Sequence, residues 1–221
     1  MRENDGTYKM TQKIKYIPPK LFHKIFPKTI WESSVDKILL TFDDGPTPEA
    51  TPIILEKLKE HSVKAIFFCV GENIERYPEL AKQIVDEGHS IGNHTISHQN
   101  INFFNKNANS SIAQCSHIIQ ENIGHKPIYF RPPHGRIGLR IEKLMEKNRL
   151  KNVMWSLLTY DYKNDINIVT FAIDNFLKKN SVIVLHDSLK SKSIIEKSID
   201  YIVKKAKQNG YEIGEPNECL K

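Results

Sequence analysis

Short runs rich in β-branched and apolar residues alternate with longer segments of helical period along this 221-residue chain, and the rhythm repeats six times. No other feature constrains the fold as much. A strand that leads into a helix returns to a neighbouring strand in the same direction, giving parallel strands covered by helices. The strand candidates are Lys37–Phe42, Ala65–Val70, Ser90–Gly92, Pro127–Phe130, Asn152–Ser156, Ser181–Leu185 and a short last one at Tyr211–Gly214. Helix candidates lie at Pro52–His61, Pro78–Glu87, Asn107–Asn122, Leu139–Asn148, Ile166–Lys178 and Ser193–Asn209. In the second of these, Leu80, Ile84 and Val85 share a face, Pro78 suits the first turn, and Gly88 supplies a C-terminal stop. The expected class is α/β, either a barrel or a doubly wound sheet.

The hydrophobic fraction of 39% and charged fraction of 26% suit one soluble domain. Such a chain buries roughly 70% of its unfolded surface and needs neither disulfide nor metal merely to fold. Cys69, Cys115 and Cys219 form no disulfide framework and no CxxC pattern. Residues 1–30 carry seven Lys or Arg against two acids, so +5 of the net charge of +6 sits there. Residues 1–35 therefore read as a basic N-terminal arm and residues 36–221 as the body. A near-neutral body without a basic, aromatic-interleaved stripe argues against nucleic acid as a partner. For the arm, a solvated tail is favoured over contact with an anionic membrane. No apolar run approaches the ~18 residues of a membrane span, and no signal peptide is visible. The default location is cytoplasmic, with the cell envelope left open.

The polar residues sit where catalysis in parallel α/β folds is sited, at the C-terminal ends of strands. Those ends read Asp43-Asp44-Gly45-Pro46, His94-Thr95-Ile96-Ser97-His98, Arg131-Pro132-Pro133-His134-Gly135, Tyr160-Asp161-Tyr162 and His186-Asp187. Five of the seven strand candidates thus end in ionisable groups that converge on one rim. Adjacent carboxylates leaving a strand point to opposite sides, so Asp43 and Asp44 should do different work; a solvated acidic turn is the plainer alternative. His94 and His98, four apart, would stack on one face of a helical turn, within reach of one ion. Two ligands do not make a site, and Asp44 is the obvious third, unless the spacing is coincidental. Arg131, stiffened by two prolines, either holds a carboxylate or makes an ordinary surface pair. His186 is a core histidine or, if Asp161 orients and charges it, an acid.

Taken together, these five motifs, with Trp155 ahead of Asp161 and Leu185 ahead of His186, resemble the polysaccharide deacetylases, the NodB-like carbohydrate esterases of family 4, over residues 37–210. The resemblance implies a NodB homology domain folded as a distorted (β/α)7 barrel. It implies a hydrolase that removes acetyl groups from N-acetylated sugars, such as N-acetylglucosamine units of chitin or peptidoglycan. A divalent ion, usually zinc and sometimes cobalt or another, would be held by Asp44, His94 and His98. Asp43 would be the base, held by Arg131, and His186 the acid, oriented by Asp161. Leu185 would line the pocket for the acetyl methyl, Tyr162 and His134 would contact substrate, and the His134 N–H would face the oxyanion. Two departures stand out. Where the family reads Asp-x-x-Asp-Trp this chain has Leu158 and Tyr162 in place of the first Asp and the Trp, and His134 replaces Tyr or Phe. These put substrate preference in question more than activity. The rivals are a catalytically silent sugar- or metal-binding domain and a deacylase of some non-polysaccharide amide.

Overall fold

A computed structural model describes residues 16–99 and 106–221 of the chain; the basic stretch 1–15 of the arm lies outside the described residues. The order is α1 (Lys20–Ile25), β1 (Lys37–Asp43), α2 (Thr51–Glu60), β2 (Ile66–Cys69), α3 (Gly71–Arg76), α4 (Pro78–Asp86), β3 (Ser90–Asn93), α5 (Lys106–Ile123), β4 (Tyr129–Phe130), α6 (Ile141–Asn148), β5 (Lys151–Asn152), β6 (Leu157–Leu158), α7 (Ile166–Phe176), β7 (Val182–His186), α8 (Ile195–Gln208), β8 (Glu212–Ile213) and α9 (Pro216–Cys219). All strand pairs are parallel, in the order β5-β4-β3-β2-β1-β7-β6, with β8 added to the start of β1. The sheet curls into a half-barrel ringed by helices. Of the two α/β architectures left open by periodicity this is the barrel, in the distorted form that the family resemblance implies.

Strand parity divides the core in two. On β1, Ile38, Leu40 and Phe42 face the helices with Phe67, Ile183 and Leu185. Leu39 faces inward with Ile66, Phe68 and Val182. Cys219, the last residue of α9, and Leu220 after it fill the inner cluster. Two expectations at this level fail. Asn152–Ser156 is not one strand: pairing ends at Asn152, Val153 bridges to Ile30, and the chain resumes as β6 against β7. Helix α3 was not expected, since its six residues are too short to show a period.

The described part of the arm packs on the body. Tyr16 sits among Tyr160, Phe171 and Phe176, with ring centroids 5.2–5.6 Å away. Phe26 and Trp31 join a cluster with Phe130 and Met154. No described helix is long and apolar enough to cross a membrane.

Candidate active site

Asp43 closes β1, and inward parity brings its carboxylate to the mouth of the half-barrel beside His186 at the end of β7, its register partner. The two acidic neighbours were expected to diverge, yet both line one cavity of about 290 Å³. Asp44 has φ +81°, which turns the chain and swings its side chain back to the mouth. The turn is tied down by Asp187, a buried carboxylate that accepts from Thr47 Oγ1 at 2.9 Å and Thr51 Oγ1 at 2.6 Å. Its N–H donates to Asp43 O at 2.8 Å. Burial, partly offset by those hydroxyls, raises the Asp187 carboxyl to about 7. Only glycine fits at position 45, because a Cβ there would lie 2.1 Å from Asp187 Oδ2.

His94 and His98 do not share a helical turn. His94 follows β3 directly, and left-handed residues at Thr95 (φ +70°) and His98 (φ +53°) fold the loop so that the rings meet at 5.0 Å. Asp44 Oδ1 lies 3.0 Å from His98 Nε2 and 3.6 Å from His94 Nε2. It is buried and accepts no hydrogen bond among the described residues. One ligand atom from each of the three residues falls within 4.8 Å of the others. His94 Nδ1 is 2.7 Å from Arg131 O, an acceptor only, so Nδ1 carries the proton and the Nε2 lone pair faces Asp44. An orphaned carboxylate oxygen beside imidazole lone pairs fits a divalent cation, and two His with one carboxylate is a donor set for zinc or a similar ion with open positions. Burial would raise the Asp44 carboxyl, but the two imidazoles and His186 outweigh it and hold it well below the carboxylate range.

Arg131 is fully buried, and all three of its guanidinium nitrogens donate. Nη1 donates to Asp43 Oδ1 (2.7 Å) and Thr41 Oγ1 (2.6 Å), Nε to Val153 O (2.9 Å) and Nη2 to Met154 O (2.8 Å). Its guanidinium lies 4.1 Å over the Phe68 ring. The ordinary surface pair is thereby excluded. Burial lowers the Arg131 pKa, and the Asp43 charge opposes that.

Asp161 is fully buried and accepts twice from one residue: Oδ1 is 2.7 Å from His186 Nδ1, and Oδ2 takes the His186 N–H at 2.7 Å. Burial lowers the His186 pKa, but Asp161, helped by Asp44 and Asp43, overrides it and raises the value to about 9. The Tyr162 ring stands edge-on to His186 at 4.9 Å. His134 is exposed at the rim, in the left-handed region (φ +57°), 4.6 Å from the His98 ring. Gly135 behind it also has positive φ (+63°), and a Cβ there would meet Trp155 at 2.1 Å.

The assignment of Leu185 to the pocket is corrected. Side chains alternate along β7, so with His186 facing the mouth Leu185 must face the helices, where it is fully buried in the outer core. Val184 lines the cavity in its place, as counting back two from His186 would have shown. Trp155, Leu158 and Lys190 line the cavity too; nothing in the sequence singles out Lys190.

A family model for polysaccharide deacetylases matches residues 32–153. The chain belongs to that family, the NodB-like carbohydrate esterases of family 4. It is 44% identical over 128 residues to a peptidoglycan-N-acetylglucosamine deacetylase of Bacillus cereus, an alignment spanning 58% of this chain and 46% of that protein. The chain thus spans about half the length of that relative and of several others it matches. It is 34% identical to a chitooligosaccharide deacetylase of Azorhizobium caulinodans over 68% of this chain and 73% of that one. The crystal structure of the Bc1960 peptidoglycan N-acetylglucosamine deacetylase, in complex with 4-naphthalen-1-yl-N-oxidanyl-benzamide, superposes with a TM-score of 0.82 at 32% identity, covering 91% of this chain and 96% of that one. A family pseudoenzyme from Bacillus anthracis, at 24% identity and TM-score 0.77, shares the fold.

Proposed function

We propose that this domain is a metal-dependent deacetylase acting on N-acetylglucosamine units of peptidoglycan or chitin-type oligosaccharides. The observation that carries the reading is a single cavity that joins the Asp44–His94–His98 cluster to a base fixed by an arginine and an acid fixed by a carboxylate. The named activities of the relatives above point the same way.

A divalent cation on Asp44, His94 and His98, zinc by the chemistry of the donor set, would supply Lewis acidity to the acetyl carbonyl and the attacking water. Asp43, anchored through Oδ1 by Arg131, takes the proton from that water as its oxygen bonds to the carbonyl carbon. The charge that develops on the carbonyl oxygen meets a backbone donor at His134, the first N–H after two prolines. His186, held protonated at neutral pH by Asp161, gives its proton to the departing amine as the C–N bond breaks. Val184 and Tyr162 offer the acetyl methyl an apolar seat. Acetate and a free amino sugar leave.

Acetate release from N-acetylglucosamine oligomers of increasing length and from purified peptidoglycan tests the reading. Asp43→Asn is expected to abolish release while the protein still binds its cation. A cation-loaded wild-type protein that releases no acetate from any of these would sink the proposal and favour a silent binding domain.

A further inference from the structure

Beside the catalytic cavity lies a second one of about 260 Å³. Phe22 and Trp31 line it from the N-terminal segment, Ile137 from the turn after β4, and Met154 from the crossing between β5 and β6. Gly135, Trp155 and Leu158 line both cavities, so the two meet along a common wall. Pro18 and Tyr160 complete the described lining, which holds no charged side chain and a single hydroxyl, that of Tyr160. Trp31 turns its one polar atom inward, Nε1 donating to Phe26 O at 3.4 Å. Leu158 occupies the place where the family's motif carries Asp, and an aliphatic side chain there keeps the shared wall apolar.

Water in such a space finds few partners and is readily displaced by an apolar group, and the two cavities together reach the size of an ordinary small-molecule site. A further sugar ring fits poorly, because its hydroxyls would lose water without gaining comparable partners. We propose that the second cavity is a binding site for the aryl or branched-alkyl part of an acylated compound whose acyl group lies in the catalytic cavity. Only the placement of the acyl group rests on the deacetylase reading; the apolar site itself does not. The domain thereby accepts ligands with an apolar arm that a plain acetylated sugar lacks.

The test needs neither metal nor turnover. Trp31 and Trp155 are the two tryptophans of the chain, and both line the cavity. Intrinsic fluorescence of the full chain, with chelator present, is followed while 4-phenylbenzamide is added, with benzamide and acetamide as smaller comparators. The expected result is a saturable change in which 4-phenylbenzamide binds about tenfold tighter than benzamide. Ile137→Asp and Phe22→Ala, both away from the catalytic groups, should each erase most of that advantage while the thermal melting curve stays cooperative. Absence of a saturable change overturns the proposal, as does equal affinity in wild type and both variants. Tighter binding of N-acetylglucosamine oligomers that depends on Phe22, without 4-phenylbenzamide binding, overturns it in favour of a sugar subsite. Failure of the deacetylase reading would appear separately, in the acetate assay.

Discussion

Replacing Asp161 with Asn keeps the size of the side chain and removes the charge that controls His186. In the wild type, burial favours neutral imidazole, yet the Asp161 carboxylate at 2.7 Å lifts the His186 pKa from 6.5 to about 9. That preference for the protonated form is worth about 3 kcal/mol. With a neutral amide the opposing burial remains, so the imidazole should titrate at or below about 6.5. At pH 8 an acid of pKa about 9 is roughly nine-tenths protonated, and one of about 6.5 is only ~3% protonated. The rate of acetate release should therefore fall roughly 30-fold at pH 8, and the gap should all but close on going to pH 5.5, where both imidazoles are about nine-tenths protonated or more. A cation bound at Asp44 would lower both values together, moving the profile to lower pH without removing its dependence on pH. The assay is kcat across pH for both proteins on one oligosaccharide, with circular dichroism to show retained fold. A loss that is the same at every pH would refute the reasoning, because Asp161 would then be only a structural prop.

The same pair leaves a mark on folding. A histidine whose folded pKa lies above its unfolded value contributes stability that is complete below about pH 6.5 and is lost as pH rises through about 9. In chelated protein the urea midpoint of the wild type should accordingly fall more between pH 7 and 9.5 than that of Asp161→Asn. Arg131→Met would leave the buried Asp43 carboxylate without its partner at the mouth and release two backbone carbonyls; a loss of about 3–5 kcal/mol in denaturant unfolding is expected. Lysine should rescue little of it, since it cannot reproduce the fork. Gly45→Ala drives a methyl into Asp187 and should displace the turn that carries Asp43 and Asp44, weakening cation affinity as read by competition with a chelating dye. Unchanged affinity would show that the turn can yield without moving its carboxylates.

Much of this site follows from alternation and strand ends. The parallel order is the outcome of βα periodicity, and the polar residues gather because β1, β3, β4, β6 and β7 deliver their C-terminal ends to one mouth. What periodicity does not carry is local backbone. Asp44, Thr95 and His98 take left-handed conformations, so neither the divergence of adjacent carboxylates nor the helical reading of the His pair survives. Those conformations are held by tertiary partners such as Asn73, whose side chain donates to Asp44 O at 2.8 Å. Leu185 is a different case, since the parity argument that corrects it was available in the sequence all along. The packing of Tyr16 and Trp31 onto the body depends on side chains more than a hundred residues away, Phe171 and Met154 among them, and leaves no local pattern.

The account stands most directly on one titration: acetate release from an N-acetylglucosamine oligomer as zinc or cobalt is returned to chelator-stripped protein, with bound ion measured in the same samples. The predicted result is a rate that rises in proportion to bound ion and saturates at one per chain, with His98→Ala losing both binding and release. Full activity in stripped protein, or one bound ion with no acetate formed, would contradict it.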